Sequence, residues 1–203
     1  MKFDVKKDRK DLYQPRAGEI VEADVPLMRF LAIDGHGDPN SAPAYESGLQ
    51  ALYSTAYAIK FAFRDRTGDD FVVGPLEGLW YADDPAVFAS GEKSEWKWTI
   101  MLPLPDAVVD ADATAGFGSA AAKKPDLPIA ELRIQELREG RCLQVMHTGA
   151  YADEGPVIAR LHARMEAAGL TWNGPHHEIY LSDPRRVAPD KLRTVLRQPV
   201  RPV

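Results

Sequence analysis

The sequence has few of the features that mark secreted, membrane-spanning or nucleic-acid-binding proteins. Its 203 residues include one cysteine, Cys142, which excludes a disulfide bond within the chain. No apolar run approaches the ~20 residues that a membrane-spanning helix needs. The net charge of -5 argues against a surface of clustered lysine and arginine that would bind phosphates. These absences predict a cytoplasmic protein whose partners are neither membranes nor nucleic acids.

Signatures of metals and cofactors are also missing. The segment DGHGD at 34–38 has two glycines, but the lysine and the serine or threonine of a phosphate-binding loop do not follow at the required spacing. His176 and His177 are neighbours in a segment that reads as a strand, so their side chains point to opposite faces and cannot share one ion. We therefore expect neither a metal nor a bound cofactor.

The sequence does contain an internal duplication. Residues 74–85 read GPLEGLWYADDP, and residues 174–184 read GPHHEIYLSDP. When the two Gly-Pro pairs are aligned, Gly78 takes the position of Glu178. One copy therefore has a carboxylate in the middle of a run that otherwise reads as a buried strand.

Elements on both sides of these segments repeat as well. After Pro43, apolar residues recur every three or four positions and predict an amphipathic helix with Tyr45, Tyr53 and Phe63 on one stripe. A shorter helix follows Asp153 as its N-cap, with Pro156 in its first turn and Gly169 as a left-handed terminating residue. Residues 63–70 and 89–95 read as loop insertions in the first copy.

The strands complete a fold prediction. Candidate strands lie at 19–25 and 130–137, and the second of these leads into a hairpin turn at 138–140. We predict an α+β fold, a pseudo-symmetric tandem repeat of strand-helix-strand-strand modules with antiparallel sheets and the helices on one face. The modules span 1–105 and 129–203, and residues 106–128 form a linker that includes a marginal surface helix. A groove between the modules, on the side away from the helices, would hold a ligand.

Strand alternation places the carboxylate of Glu178. Ile179 and Leu181 share one face, which we expect against a helix, so Glu178 and Tyr180 point to the groove. Trp80 lies at the position of Tyr180 in the first copy, and Trp98 begins the strand after it. A desolvated carboxylate among aromatic rings needs a partner in the protein or a ligand with a charge or a proton.

These residues carry a family resemblance. HHEIYLSDPRR at 176–186, with RTVLRQPV after it and GAYADEGPVIARLH before it, resembles the GyrI-like small-molecule-binding family in its stand-alone form with two fused modules. The likeness covers about Asp11 to Val200. It implies a pocket for flat, hydrophobic and often cationic compounds around Glu178, in a protein that serves drug or toxin resistance.

The resemblance leaves three functions open. In a binding protein, Glu178 neutralises a ligand cation while Trp80, Trp98 and Tyr180 contact its rings. In a hydrolase of cyclopropane-bearing DNA alkylators, Glu178 acts as general base on a water molecule, and Tyr151 or Tyr180 donates to the carbonyl where charge builds. In a gyrase inhibitor, a protein surface would act without Glu178.

Other candidate residues have simpler explanations. Glu77 is a second candidate ligand-binding acid, but its parity puts it on the face opposite Trp80, so it ranks below Glu178. Trp96, Tyr45 and Tyr53 are expected to pack in the core. Cys142 has no base beside it in the sequence and is expected to be a small buried hydrophobic residue.

Overall fold

The computed structural model describes residues 2–83 and 93–203 and shows an α+β protein. Nine strands and five α-helices lie within these ranges. The strands are β1 (Lys2–Phe3), β2 (Val21–His36), β3 (Asp70–Phe71), β4 (Leu76–Tyr81), β5 (Lys97–Leu104), β6 (Arg133–Thr148), β7 (Leu170–Trp172), β8 (His176–Tyr180) and β9 (Arg193–Pro202). The helices are α1 (Val5–Asp8), α2 (Lys10–Tyr13), α3 (Pro43–Thr67), α4 (Asp110–Lys123) and α5 (Gly155–Ala167). None of them combines the length and the apolar character needed to cross a membrane.

The predicted fold class is confirmed by the order and pairing of these elements. The run β2-α3-β3-β4-β5 is repeated as β6-α5-β7-β8-β9. In the main sheet the strands follow the order β6-β2-β5-β4-β8-β9-β7, and β6 also pairs with β9. The pairs β2 with β5, β6 with β9 and β8 with β9 are antiparallel.

Spatial contacts divide the chain into two compact units that differ from the predicted modules. Each unit collects three separate stretches of sequence. Unit 1 comprises Met1–Val5, Met28–Gly74 and Trp80–Leu137, and unit 2 comprises Lys6–Leu27, Pro75–Leu79 and Arg138–Val203. The boundaries fall inside β2, β4 and β6, so these strands contribute residues to both units. Two repeated modules at 1–105 and 129–203 stay a prediction.

The two long strands correct the hairpin prediction. β2 and β6 are each 16 residues long. The segment at 130–137 does not turn back at 138–140. Gly140 takes the left-handed conformation with φ of 65°, yet the strand continues through it. Glycine adopts this conformation without steric cost, so one such residue can change the local twist without reversing the chain.

α3 is longer than the sequence suggested. It begins at Pro43 as predicted but continues to Thr67, where Gly68 ends it in the left-handed conformation with φ of 75°. Residues 63–67 are therefore helical, and Phe63 is buried with its ring 5.6 Å from that of Phe71. Tyr53 was expected in the core, but 37% of its surface is exposed because the buried stripe runs through the adjacent Leu52.

α4 is a packed helix where a marginal surface helix was expected. Both α4 and α3 belong to unit 1, and Gly116 lets their backbones approach closely. A Cβ atom added at Gly116 would lie 2.4 Å from the Ile59 side chain and 2.8 Å from the Ile59 backbone nitrogen. Arg66 of α3 also donates two hydrogen bonds, of 2.7 and 2.6 Å, to the buried carboxylate of Asp112.

α5 covers one face of the sheet in unit 2. Leu161 and Met165 of the helix pack in a core cluster with Leu143, Val145 and Leu196 of the strands. The predicted left-handed residue at its end is confirmed, since Gly169 has φ of 67°. The N-cap position is one residue later than predicted. Glu154 occupies it, while Asp153 lies in the short 3-10 helix Tyr151–Asp153.

Candidate functional site

β8 presents two different faces within unit 2. His177 and Ile179 are buried on one face, whereas His176, Glu178 and Tyr180 are half-buried on the other. The predicted alternation is thus confirmed. In the antiparallel register Glu178 lies opposite Leu196, and directly opposed residues share a face of the sheet.

This register corrects the expected position of the helix. Leu196 packs in the cluster that α5 covers, so Glu178 faces α5 and not the side away from it. Ile179 pairs with Val195 on the opposite face. The prediction that the aliphatic face would lie against the helix was wrong because that face is filled by a network of buried charged groups.

Glu178 lies among polar and aromatic side chains on the α5 face. The Tyr180 hydroxyl donates a 2.7 Å hydrogen bond to Glu178 Oε2. His176 Nε2 is 3.6 Å from Glu178 Oε1, and 16% of the Glu178 side chain is exposed. The rings of Tyr180 and Tyr151 meet edge to face with centroids 5.5 Å apart. The structure therefore brings together three predicted site residues, Glu178, Tyr180 and Tyr151.

Glu154 is a further carboxyl group here that the sequence reasoning missed. It is only 5% exposed, and burial together with the nearby charge of Glu178 raises its pKa to about 8. The N-terminus of α5 opposes this shift by favouring the charged form, an effect of ~0.3–1 kcal/mol. One pKa unit corresponds to about 1.4 kcal/mol, so the opposing effect is the smaller one and Glu154 is mainly protonated at neutral pH.

Several buried polar atoms near Glu178 have no hydrogen-bond partner among the described residues. They are Glu154 Oε1, Thr194 Oγ1 and both ring nitrogens of His176. Thr194 faces Glu154 closely enough to favour its charged form in part, yet neither of these two oxygens makes a hydrogen bond of sound geometry. We name the six residues the Glu178 cluster: His176, Glu178, Tyr180, Glu154, Thr194 and Tyr151. All six belong to unit 2.

The opposite face of β8 holds a closed network around His177. His177 lies 2.9 Å from Glu139 through Nδ1 and 2.9 Å from Glu77 through Nε2. These two carboxyl groups raise the pKa of His177 to about 9 against the opposing effect of its burial, so it is protonated at neutral pH and donates to both. Tyr13 donates a further 2.7 Å hydrogen bond to Glu77.

Arg197 completes this His177 network. It donates hydrogen bonds to Glu139 at 2.9 Å, to Gln144 at 3.1 Å and to the backbone oxygen of Leu12 at 2.9 Å. Burial raises the pKa of Glu139, but the charges and hydrogen bonds of His177 and Arg197 outweigh it and hold that pKa at about 2. Two cations thus face two carboxyl groups in the interior of unit 2.

Glu77 lies in this network and not in the Glu178 cluster. It is fully buried, and each of its oxygens is hydrogen-bonded within unit 2. Those bonds weigh against contact with a ligand, and its binding role stays a prediction. The thiol of Cys142 is buried as expected, and burial raises its pKa to about 12.

The predicted aromatic residues Trp80 and Trp98 belong to unit 1. Tyr45 stacks on Trp80 with centroids 6.4 Å apart and meets Trp98 edge-on at 5.1 Å. Trp98 lies against Gly35, where an added Cβ atom would come within 2.1 Å of the ring. A ligand site that combines these rings with Glu178 stays a prediction. Within 2–83 and 93–203 no group of three or more His, Cys, Asp or Glu could hold a metal ion.

The family is shown by the match over most of the chain. Residues 19–201 match the GyrI-like small molecule binding domain. The chain belongs to this family. An uncharacterized conserved protein from Listeria innocua is 38% identical to this GyrI-like protein, with a TM-score of 0.90, and the match covers 98% of this chain and 100% of that chain.

Two further structures extend this comparison. A hydrolase from Listeria innocua is 37% identical, with a TM-score of 0.88, and 99% of this chain and 100% of that chain are covered. The C-terminal domain of EcmrR shares the fold, with a TM-score of 0.59 at 12% identity over 91% of this chain and 98% of that chain. No protein with a curated function matches. The GyrI-like domain is thus a small-molecule-binding domain.

Proposed function

We propose that this protein binds hydrophobic, often cationic, aromatic compounds at the Glu178 cluster and serves drug or toxin resistance. The observation that supports this proposal is the incomplete hydrogen bonding of Glu178. One carboxylate oxygen accepts from Tyr180, while the other has no hydrogen bond among the described residues, only His176 at 3.6 Å. A ligand cation can neutralise this oxygen and contact the two tyrosine rings, each such contact contributing ~0.5–2 kcal/mol.

The charge requirement is tested with two probes of similar shape. 1-Methylquinolinium is a flat cation, and 1-methylnaphthalene is its neutral counterpart. Glu178→Gln keeps the shape of the side chain and removes its charge, so we expect it to weaken binding of the cation at least tenfold and of the neutral compound less than twofold. Calorimetry measures both affinities.

Glu166→Gln provides the matched control, because Glu166 is exposed on α5 and should leave both affinities unchanged. If neither probe binds saturably to the unaltered protein, the binding proposal fails. A protein-interaction role of the gyrase-inhibitor type would then gain support, since it needs no such site.

Hydrolysis is a second candidate, favoured by the 37% identity to a Listeria innocua hydrolase over nearly the whole chain. In this alternative Glu178 acts as general base on a water molecule that opens an activated cyclopropane ring, while a tyrosine donates to the carbonyl on which negative charge builds. Tyr180 already donates to Glu178, whereas the Tyr151 hydroxyl makes no hydrogen bond among the described residues, and Tyr151 as a whole is 38% exposed. Tyr151 is therefore the better candidate donor.

Turnover separates this candidate from binding alone. The protein is mixed in substoichiometric amount with a cyclopropane-bearing alkylator, and ring opening is followed by absorbance. Hydrolysis predicts many turnovers that fall at least a hundredfold in Glu178→Gln and at least tenfold in Tyr151→Phe. Saturable binding without turnover would leave the binding role alone.

A further inference from the structure

The Glu178 cluster contains a second carboxyl group, Glu154, to which neither proposed function gives a role. Glu154 is 5% exposed at the N-terminus of α5, and its Oε1 atom has no partner among the described residues. Buried polar atoms in proteins are nearly always paired, because an unpaired one loses its bonds to water without replacement. An unpaired carboxyl oxygen in a ligand-binding domain therefore points to a partner that arrives with the ligand.

Thr194, which lies close to Glu154, belongs to the same unpaired group. It is fully buried on β9, and its hydroxyl is also unpaired among the described residues. The register places Thr194 opposite Tyr180 of β8 and opposite His147 of β6, so these side chains share the face that carries Glu178. Unpaired polar groups thus converge on one face beside two tyrosine rings.

Burial first, and the charge of Glu178 second, determine which form Glu154 takes. Glu178, His176 and Tyr180 of β8 and His147 of β6 lie on one face of the sheet, and Tyr151 of the turn before α5, whose pKa burial raises most, is near enough for a charge on Glu154 to raise it further. Two nearby carboxyl groups do not both ionise readily, because the second charge is repelled by the first. Glu154 is the more buried of the two, and its burial beside the charge of Glu178 raises its pKa, so the uncharged form of Glu154 is favoured.

We propose that Glu154 is a second ligand-binding residue, which in its uncharged form donates a hydrogen bond to an acceptor oxygen or nitrogen of the ligand. The site then selects aromatic cations that also carry a carbonyl or a similar acceptor, with Glu178 opposite the charge and Glu154 opposite the acceptor. This inference rests on the proposed binding function, since it adds a group to the same site.

The test compares 1-methylquinolinium with 6-acetyl-1-methylquinolinium, which adds one acceptor to the same cation. At pH 7 we expect the acetyl compound to bind at least fivefold more tightly to the unaltered protein. Glu154→Ala removes the donor and should abolish this preference. Glu154→Gln retains an N–H donor of similar shape and should restore it.

The pH dependence distinguishes hydrogen bonding from a merely structural role. Between pH 7 and pH 9 the unaltered protein should lose its preference for the acetyl compound, as Glu154 ionises and can no longer donate. Glu154→Gln cannot ionise and should keep the preference over this range. Carbon-13 NMR of labelled glutamate carboxyl groups should show one resonance whose chemical shift titrates with a midpoint near pH 8. This resonance should be absent in Glu154→Gln.

The failures of the two proposals are distinguishable. Equal affinity of the unaltered protein for the two cations would overturn the role of Glu154 while the binding function stood. A preference for the acetyl compound that persists in Glu154→Ala would overturn it as well. A Glu154 resonance that titrates in the ordinary glutamate range would overturn it as well, without any ligand. If neither cation binds saturably, the binding function fails and the role of Glu154 fails with it.

Discussion

The two faces of β8 carry similar residues in opposite circumstances. On one face His177 and Arg197 meet Glu77 and Glu139 in a network where each carboxyl oxygen has a hydrogen-bond donor. On the other face, one residue along, the Glu178 cluster has several buried polar atoms without partners among the described residues. The comparison shows that a buried charge alone does not mark a functional site. Completeness of hydrogen-bond pairing is what distinguishes the two faces, and the proposed ligand site depends on this difference.

The closed network also includes residues of the N-terminal segment of unit 2. Tyr13 donates a hydrogen bond to Glu77, and the backbone oxygen of Leu12 accepts one from Arg197. Leu12 and Tyr13 precede the family match, which begins at residue 19. The segment is thereby attached to the interior of unit 2 through polar bonds. The Glu178 cluster, in contrast, lies entirely within the matched residues.

The largest expected effect comes from opening the closed network. Arg197→Met keeps much of the side-chain volume but leaves the Glu139 charge without one of its two cationic partners. Breaking a buried ion pair from one side costs about 3–5 kcal/mol. We expect the free energy of unfolding to fall by that amount in a denaturant titration.

Arg193→Met is the matched control, because Arg193 is exposed on the same strand and should cost less than ~0.5 kcal/mol. If Arg197→Met does not yield folded protein, Glu139→Gln tests the same network more mildly. Equal stability of the two arginine variants would contradict a structural role for the network.

A smaller effect comes from pH, through one residue on each face. Glu154 has a folded pKa of about 8 against an ordinary value of 4.5, so the free energy of unfolding falls as pH rises from about 4.5 to 8. His177 has a folded pKa of about 9 against 6.5, so its contribution is complete below pH 6.5 and is lost as pH rises through 9.

Glu154→Gln should remove the loss of stability that comes from Glu154, on the order of 2–4 kcal/mol, and leave the loss that comes from His177. Denaturant titrations at pH 5, 7 and 9 measure both. The stability of Glu154→Gln and that of the unaltered protein could instead decline equally steeply between pH 5 and pH 7. This result would show that Glu154 is ionised in the folded state at neutral pH.

The smallest expected effect on stability comes from removing one tyrosine hydroxyl on each face of β8. Tyr13 and Tyr180 each donate a 2.7 Å hydrogen bond to a glutamate, one in the closed network and one in the Glu178 cluster. Tyr13→Phe leaves a buried carboxyl oxygen unpaired and should cost ~1–3 kcal/mol. Tyr180→Phe should cost less than ~1 kcal/mol, since water can reach the partly exposed Glu178, but it should alter binding of 1-methylquinolinium.

Thermal and denaturant unfolding of both variants, with calorimetry of the probe, checks this pair. Tyr13→Phe serves as the control for binding and Tyr180→Phe as the control for stability. Equal losses of stability would mean that the two faces of β8 are equally closed to water.

Part of this architecture could be predicted from local patterns. The repeated Gly-Pro segments, the start of α3 at Pro43 and the left-handed Gly169 follow from propensities and periodicity that act over a few residues. The alternation within β8 likewise placed Glu178 and Tyr180 on one face. The hairpin at 138–140 failed because a glycine that permits a turn also permits a continuous strand, and only pairing with neighbouring strands decides between them.

The sequence by itself determined the α+β class, the repeat of elements, the family and the faces of β8, because each follows from short-range periodicity or from a long specific motif. Only the tertiary structure decided which face of β8 meets α5, that Glu77 joins a closed network, and that Glu154 lies beside Glu178. These outcomes depend on contacts between residues far apart in the chain: Glu77 and His177 are 100 positions apart, and Arg197 and Leu12 are 185 apart. Pairing and desolvation, which leave both oxygens of Glu77 hydrogen-bonded and one oxygen of Glu154 without a partner among the described residues, exist only once those residues have been brought together.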